Sequence, residues 1–117
     1  MARAATTTDA FNAVAEPRRR RILDALATGE RPVGDLVALL GVAQPQVSKH
    51  LKVLRAVGLV AVREEGRRRL YRLEPRPLER IHQWVKGYER MWTERFEQLD
   101  EVLEEMKRKE KEDAGDD

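Results

Sequence analysis

Two helix-length apolar patterns hinged at one glycine, followed directly by a pair of β-prone runs with three arginines at their turn, constrain this chain more than any other feature. Leu36-Val37-Ala38-Leu39-Leu40 leads into Gly41. From Gln44 onward, Val47, Leu51 and Leu54 recur at i, i+4 and i+7, the spacing that locks one side of a second helix to a core. Pro45, Lys49 and Lys52 lie opposite that stripe, with Gln44 and Ser48 on one flank and Gln46 and His50 on the other. After Gly58 the helical period stops. Val60 to Leu73 holds two short apolar and β-branched runs around Glu65-Gly66, with Arg67-Arg68-Arg69 beside the turn. Helix, turn, helix and basic-tipped hairpin predict a winged helix-turn-helix, a mainly α fold with a small β-hairpin whose second helix is shaped to enter a DNA groove.

The remaining elements follow from caps and breakers. Thr8 or Thr7 is expected to cap a first helix carrying Ala10, Phe11, Val14 and Ala15 on one stripe. Glu16-Pro17 ends it, and Pro17 opens a second helix that runs to about Thr28-Gly29 on Ile22, Leu23 and Leu26. Arg19 falls on the buried side of that helix and so needs a carboxylate or exposed carbonyls, whereas Arg20 and Arg21 face away. The arginine run therefore reads as a solvated charge run with one structural ion pair, not as a DNA contact. Pro32 is expected to start the third helix, buried through Val33, Leu36, Val37 and Leu40, with Gly41 turning the chain. Ala43 stands where a capping serine would contribute about 1 kcal/mol, so the recognition helix, Gln44 to Val57, starts without a side-chain cap. Gly58 ends it.

From Pro77 onward one helical pattern continues. Leu78, Val85, Trp92, Leu99 and Met106 recur every seven residues, and Ile81, Tyr88, Arg95 and Val102 form a second seam, widened by Trp84, Met91, Phe96 and Leu103. A helix of about 30 residues, on the order of 45 Å, is too long for a winged domain of this size to cover, so part of the stripe must meet another protomer. Gly87 interrupts it, which suggests a kink or a close backbone approach. The expected division is a DNA-binding core at 8–76, a dimerisation helix at 77–108 and a frayed acidic tail at 109–117.

Composition enters through charge and cysteine. Residues 1–76 carry 15 basic and 8 acidic side chains, and residues 77–117 carry 8 and 13, so a basic front is joined to an acidic back and the front faces a polyanion. With no cysteine in the chain, disulfides, thiolate ligands and a cysteine nucleophile are excluded. The longest apolar run is far short of a membrane span and the N-terminus lacks a signal core, which makes a soluble cytoplasmic protein the expectation. No serine-histidine-acid set, phosphate-cradling glycine loop or dense metal cluster appears, so an enzyme is the least supported class and no cofactor is expected.

The chemistry that remains is DNA reading. Glutamine bonds adenine bidentately, serine suits several bases, and lysine takes a guanine edge or a phosphate, so Gln44, Gln46, Ser48 and Lys49, with Pro45 and Lys52 beside them, form the candidate reading face. Along a strand the three arginines alternate, so at most two face one groove: Arg67 and Arg69, or Arg68 alone. Glu79 and His82 sit one helical turn apart, but two ligands fall short of a tetrahedral metal site. His50 lies at the edge of the core stripe, where packing beside Leu54 is its expected role.

Residues Phe11 to Leu73 resemble the ArsR family of bacterial winged-helix repressors. The resemblance is carried by Ala15-Glu16-Pro17-Arg18-Arg19-Arg20-Arg21-Ile22-Leu23, by Val33-Gly34-Asp35-Leu36, by Gln44 through Leu54, and by Gly58-Leu59-Val60 leading to Gly66 through Leu73. It implies a homodimeric repressor of double-stranded operator DNA that an inducer releases. The first helix (Phe11, Val14) and the last (Leu78, Ile81, Val85, Tyr88, Trp92, Leu99, Val102) would form the interface. Metal-sensing members place cysteines where this chain has Val33-Gly34-Asp35-Leu36-Val37, or aspartate and histidine pairs along the last helix, where it has only Glu79 and His82. The region of Trp84 and Met91-Trp92 is instead similar to a metal-free branch, and no residue identifies the inducer. Two rivals are weighed: a metal-dependent sensor using Glu79 and His82 across the dimer, and a winged protein-interaction module that binds no DNA.

Overall fold

The computed structural model describes residues 9–115. In chain order its elements are α1 (Ala10–Ala15), α2 (Pro17–Leu26), β1 (Arg31–Pro32), α3 (Val33–Leu40), α4 (Gln44–Ala56), β2 (Val60–Glu65), β3 (Arg68–Leu73) and α5 (Leu78–Gly115). The contacts divide into two units, one up to Ile81 and one from His82 onward.

In the first unit α2, α3 and α4 enclose Ile22, Leu36, Val47, Leu51 and Leu54, all fully buried and joined by Leu59 after the recognition helix. Each leucine so buried stabilises the fold by about 1.5–3 kcal/mol relative to exposure. The helix-turn-helix forms as expected. Gly41 adopts the left-handed conformation at φ 68° and ψ 25° and closes α3 by donating its N–H to Val37 O at 2.9 Å. Neither Pro32 nor Ala43 supplies a side-chain cap to the helix that follows it.

The recognition helix ends in a doubly bonded cap. Gly58, at φ 80°, donates to Arg55 O at 3.0 Å, and Leu59 donates to Leu54 O at 2.9 Å. That reversal drops the chain into β2 with Leu59 and Val60 buried.

The hairpin is part of a three-stranded antiparallel sheet ordered β1-β3-β2, a correction to the two-stranded wing that the sequence predicts. Arg31 pairs with Tyr71 and Pro32 with Leu70. A two-residue strand ending in proline carries too little pattern to read from sequence, and its place at an edge is one that proline tolerates. Pro32 is accordingly the N-cap of α3 and not its first residue.

Other details of the helices differ from expectation. Thr7 and Thr8 lie outside the described residues, and the N-cap of α1 is Asp9, whose Oδ1 accepts from Asn12 N at 2.8 Å. The buried side of α1 is Ala10 and Ala13 with Val14 partly covered, while Phe11 and Ala15 are exposed. At the other end of the chain α5 continues through the expected frayed tail to Gly115. The dense charges there, which read as disorder, sit at helical spacing. The helix also passes through Gly87 without interruption, and nothing beyond its own helix lies within 4 Å of a Cβ added there, so no close approach calls for the glycine.

Candidate nucleic-acid interface

The four-arginine run shows how this chain spends its cations. A six-residue helix leaves its last four carbonyls without intrahelical partners, and in α1 these are Asn12, Ala13, Val14 and Ala15. Arg19 donates from Nε to Ala13 O at 2.6 Å and from Nη2 to Asn12 O at 3.0 Å. Arg20 donates from Nη1 to Val14 O at 2.6 Å and to Ala15 O at 3.3 Å. Two guanidiniums thus cap every free carbonyl of α1 and place positive charge at the negative end of its dipole. Arg21 reaches Leu39 O, near the end of α3, at 2.9 Å. Arg19 therefore takes carbonyls and forms no ion pair, and Arg20 and Arg21, read as facing solvent, are structural as well.

The sheet spends more of them. Arg63 on β2 donates from Nε to Glu30 Oε2 at 2.8 Å and from Nη2 to Glu30 Oε1 at 2.9 Å, with Glu65 Oε2 at 3.1 Å. The Arg63 guanidinium holds the Glu30 carboxyl below the usual glutamate range, and the Arg63 pKa is raised in return. Arg72 pairs with Glu74 at 2.8 Å, and Arg31 bonds Ala25 O and Thr28 Oγ1.

Against this background the sequence-predicted site residues stand apart. Gln44, Pro45, Gln46, Ser48, Lys49 and Lys52 are all exposed on α4, away from buried Val47, Leu51 and Leu54. Among the described residues no ion pair or side-chain hydrogen bond engages Lys49, Lys52, Arg67, Arg68 or Arg69, so their charge is available to a ligand.

The hairpin turn brings the wing to the helix. Glu65 pairs with Arg68, leaving Gly66-Arg67 as a two-residue loop. Gly66 has φ 62° and Arg67 does not share the positive φ, the pattern of a type II′ turn matched to strand twist. Arg67 thus belongs to the turn, and alternation applies only from Arg68. Arg69 falls on the face of Tyr71, which packs in the core, and Arg68 on the face of Leu70. Gln44 and Ser48 of α4, Pro32 and Val33 at the start of α3, and Arg67, Arg68, Arg69 and Tyr71 line one open hollow of about 350 Å³. Helix and wing, assigned separately from sequence, border a single concave surface. It combines amide and hydroxyl groups suited to base edges with guanidiniums suited to phosphate.

His50 points elsewhere. It is partly buried, and burial pushes its imidazole pKa down, assisted by Arg19 and Arg18 and opposed by Glu16. Its neighbourhood is the junction of α1 and α2 as well as its own helix, which the sequence pattern did not reveal.

Of the residues expected at a dimer interface, Phe11 is exposed on α1, while Val14, Leu78 and Ile81 pack partly against the core of the first unit. In the second unit Val85 is partly exposed, and Trp84, Tyr88, Trp92, Leu99 and Val102 are exposed. Trp84 and Tyr88 meet edge to face with ring centroids 5.8 Å apart. Glu79 and His82 are exposed. Among the described residues no three His, Asp or Glu side chains gather around a common point, and Val33, Gly34 and Asp35 offer no thiolate, so the residues present do not fit the thiolate site of metal-sensing relatives. No described helix is long and apolar enough to cross a membrane.

Comparison with known proteins agrees with this geometry. Residues 16–62 match the profile of the arsR family of bacterial regulatory proteins. The chain is 42% identical over 84 residues to the HTH-type transcriptional regulator Rv2034 of Mycobacterium tuberculosis, covering 72% of this chain and 76% of that protein. It is 28% identical to the transcriptional repressor SdpR of Bacillus subtilis, over 67% of this chain and 87% of that protein. Among solved structures, an ArsR-like transcriptional regulator from Rhodococcus sp. RHA1 superposes with a TM-score of 0.59 at 26% identity, over 79% of this chain and 87% of that one. A winged helix-turn-helix whose uncommitted cations border its recognition helix, matched in sequence and shape to these regulators, belongs to the arsR family of bacterial regulatory proteins and is a DNA-binding transcriptional regulator, not an enzyme.

Proposed function

We propose that the protein is a homodimeric repressor that occupies an inverted-repeat operator and blocks transcription by covering the promoter. The observation that carries this reading is the sorting of cations. Arginines of α2, β1 and β2 are tied to carbonyls and carboxylates, while Lys49, Lys52, Arg67, Arg68 and Arg69 are free and grouped around the hollow between α4 and the wing. Two recognition helices enter successive major grooves about 34 Å apart, with Gln44, Gln46, Ser48 and Lys49 reading base edges. Pro45 and Lys52 lie against the backbone beside them. Of the two wing assignments the strand register favours Arg67 with Arg69, which lies on the α4 side of the sheet, over Arg68 alone. Residues 8–76 are the reading unit, and the helix that follows supplies the dimer contact together with α1. The compartment is the cytoplasm, where the DNA is.

A salt titration tests the reading. If each protomer neutralises about four phosphates, log affinity falls against log salt with a slope near −7. Retention on DNA that does not respond to salt would refute it.

A further inference from the structure

Helix α5 carries an apolar stripe that is nearly the same read in either direction. It spans 38 residues, and from Trp84 to Met106 its large apolar side chains are about half exposed or more, Phe96 at 66%. We infer that a second copy of the chain covers this stripe with its own α5 running antiparallel, centred between Thr93 and Glu94. This pairing rests on the homodimer reading above and adds a direction and a register to it.

Three observations select it. The first is the register. When residue i of one copy faces residue 187 − i of the other, Val85 meets Val102 and Tyr88 meets Leu99, and at the centre Trp92 meets Arg95. Arg95 is the one charged residue in the seam. Reversal sets its guanidinium against an indole face, a favourable cation–π contact, whereas a parallel in-register pair would press Arg95 against Arg95.

The second is charge. Residues 97–105 hold Glu97, Asp100, Glu101, Glu104 and Glu105 and no cation. In a parallel pair these two acidic blocks lie at the same level and repel. Reversed, each lies opposite residues 82–90, where Lys86 and Arg90 outnumber Glu89.

The third is span. Antiparallel helices in this register hold the two copies of Ile81, where each α5 leaves the first unit, about 37 Å apart. That is the scale of one turn of B-DNA, which two recognition helices on one face must bridge. A parallel pair would bring both attachment points within about 10 Å.

The chain has no native cysteine, so introduced thiols report cleanly. V85C/V102C is expected to form an interchain disulfide on mild oxidation, while V85C and V102C alone do not, because each residue then lies about 25 Å from its own copy. Self-linking single variants would establish a parallel pair and overturn the proposal, and so would a dimer in which the double variant fails to link. Should thiols in the seam perturb folding, a spin label at exposed K107C gives a second reading: a separation of about 40 Å between labels is expected, and one under about 20 Å overturns the pairing. Sedimentation of the unaltered protein under reducing conditions separates the two readings. A monomer refutes the homodimer itself, whereas a dimer with the wrong linkage pattern refutes only the antiparallel register.

Discussion

Arg19 donates from Nε to the carbonyl oxygen of Ala13 at 2.6 Å, one turn from the end of α1. The bond is partly buried and joins α1 to α2 across the Glu16-Pro17 corner. Its second nitrogen takes Asn12 O, so one side chain satisfies two carbonyls that a six-residue helix cannot bond itself. Arg19→Met keeps the aliphatic bulk and removes the donors. We expect a loss of about 1–3 kcal/mol in denaturant unfolding, the cost of leaving partly buried carbonyls unpaired. Arg20→Met, whose bonds are exposed, should cost less. Equal stability of Arg19→Met and the parent would show that water replaces the guanidinium without penalty.

His50 lies close enough to Arg19 to feel its charge, and its pKa is lowered first by burial and then by that charge. A histidine whose folded pKa lies below its unfolded value binds a proton more readily when unfolded. Its contribution is complete above the ordinary imidazole range, about pH 6.5, and declines as pH falls from there through the lower folded value. The melting temperature should therefore drop between about pH 7 and pH 5, and His50→Gln should flatten that part of the profile. In Arg19→Met the imidazole resonances should titrate at higher pH than in the parent. A downward displacement would contradict the electrostatic assignment.

How much of this was legible in the sequence depends on the range of each signal. Val47, Leu51 and Leu54 announce their helix through spacing alone, and Gly41 and Gly58 mark its limits because only glycine adopts their φ without strain. The reading face followed, since residues opposite a buried stripe must be exposed. The partners of Arg20, Arg21 and Arg63 were not legible. Each lies on another element, up to 33 residues away for Glu30 and Arg63, and a helical wheel shows only which way a side chain leaves its own helix. β1 escaped for a related reason, because two residues become a strand only when β3 lies beside them.

Glu30 and Arg63 have a role in the wing that follows from register. Arg63, Leu70 and Pro32 lie in one row across the sheet, and Leu70 is buried although it is no part of the main core. The ion pair from Glu30 to Arg63 spans that row, laying the arginine stem over Leu70. Removing it should loosen the strands that carry Arg67 to Arg69 while leaving the recognition helix intact. Glu30→Gln is expected to weaken operator binding by roughly two- to fivefold, with an unchanged binding-site logo and nearly the same salt slope. Because its folded pKa is lowered, the Glu30 contribution is whole above the ordinary glutamate range, about pH 4.3, and is lost as pH falls below it. A changed logo would move Glu30 from support of the wing to base reading.

Lys49 is the sharpest test of which residues read sequence. It is exposed one turn into α4, has no partner among the described residues, and follows Ser48, which borders the hollow shared with the wing. A lysine there meets either a guanine edge or a phosphate, and the two roles leave different traces. Lost base readout removes about 1–3 kcal/mol of discrimination at one position, whereas a lost phosphate contact weakens all sequences alike and reduces the salt slope by about one per contact. Lys49→Ala should weaken operator binding and broaden one symmetric pair of positions in fragments selected from random DNA. The double replacement Arg67→Ala/Arg69→Ala should instead lower affinity for every sequence and flatten the salt dependence. If Lys49→Ala behaves as the wing variant does, Lys49 is a backbone contact, and base recognition falls to Gln44, Gln46 and Ser48.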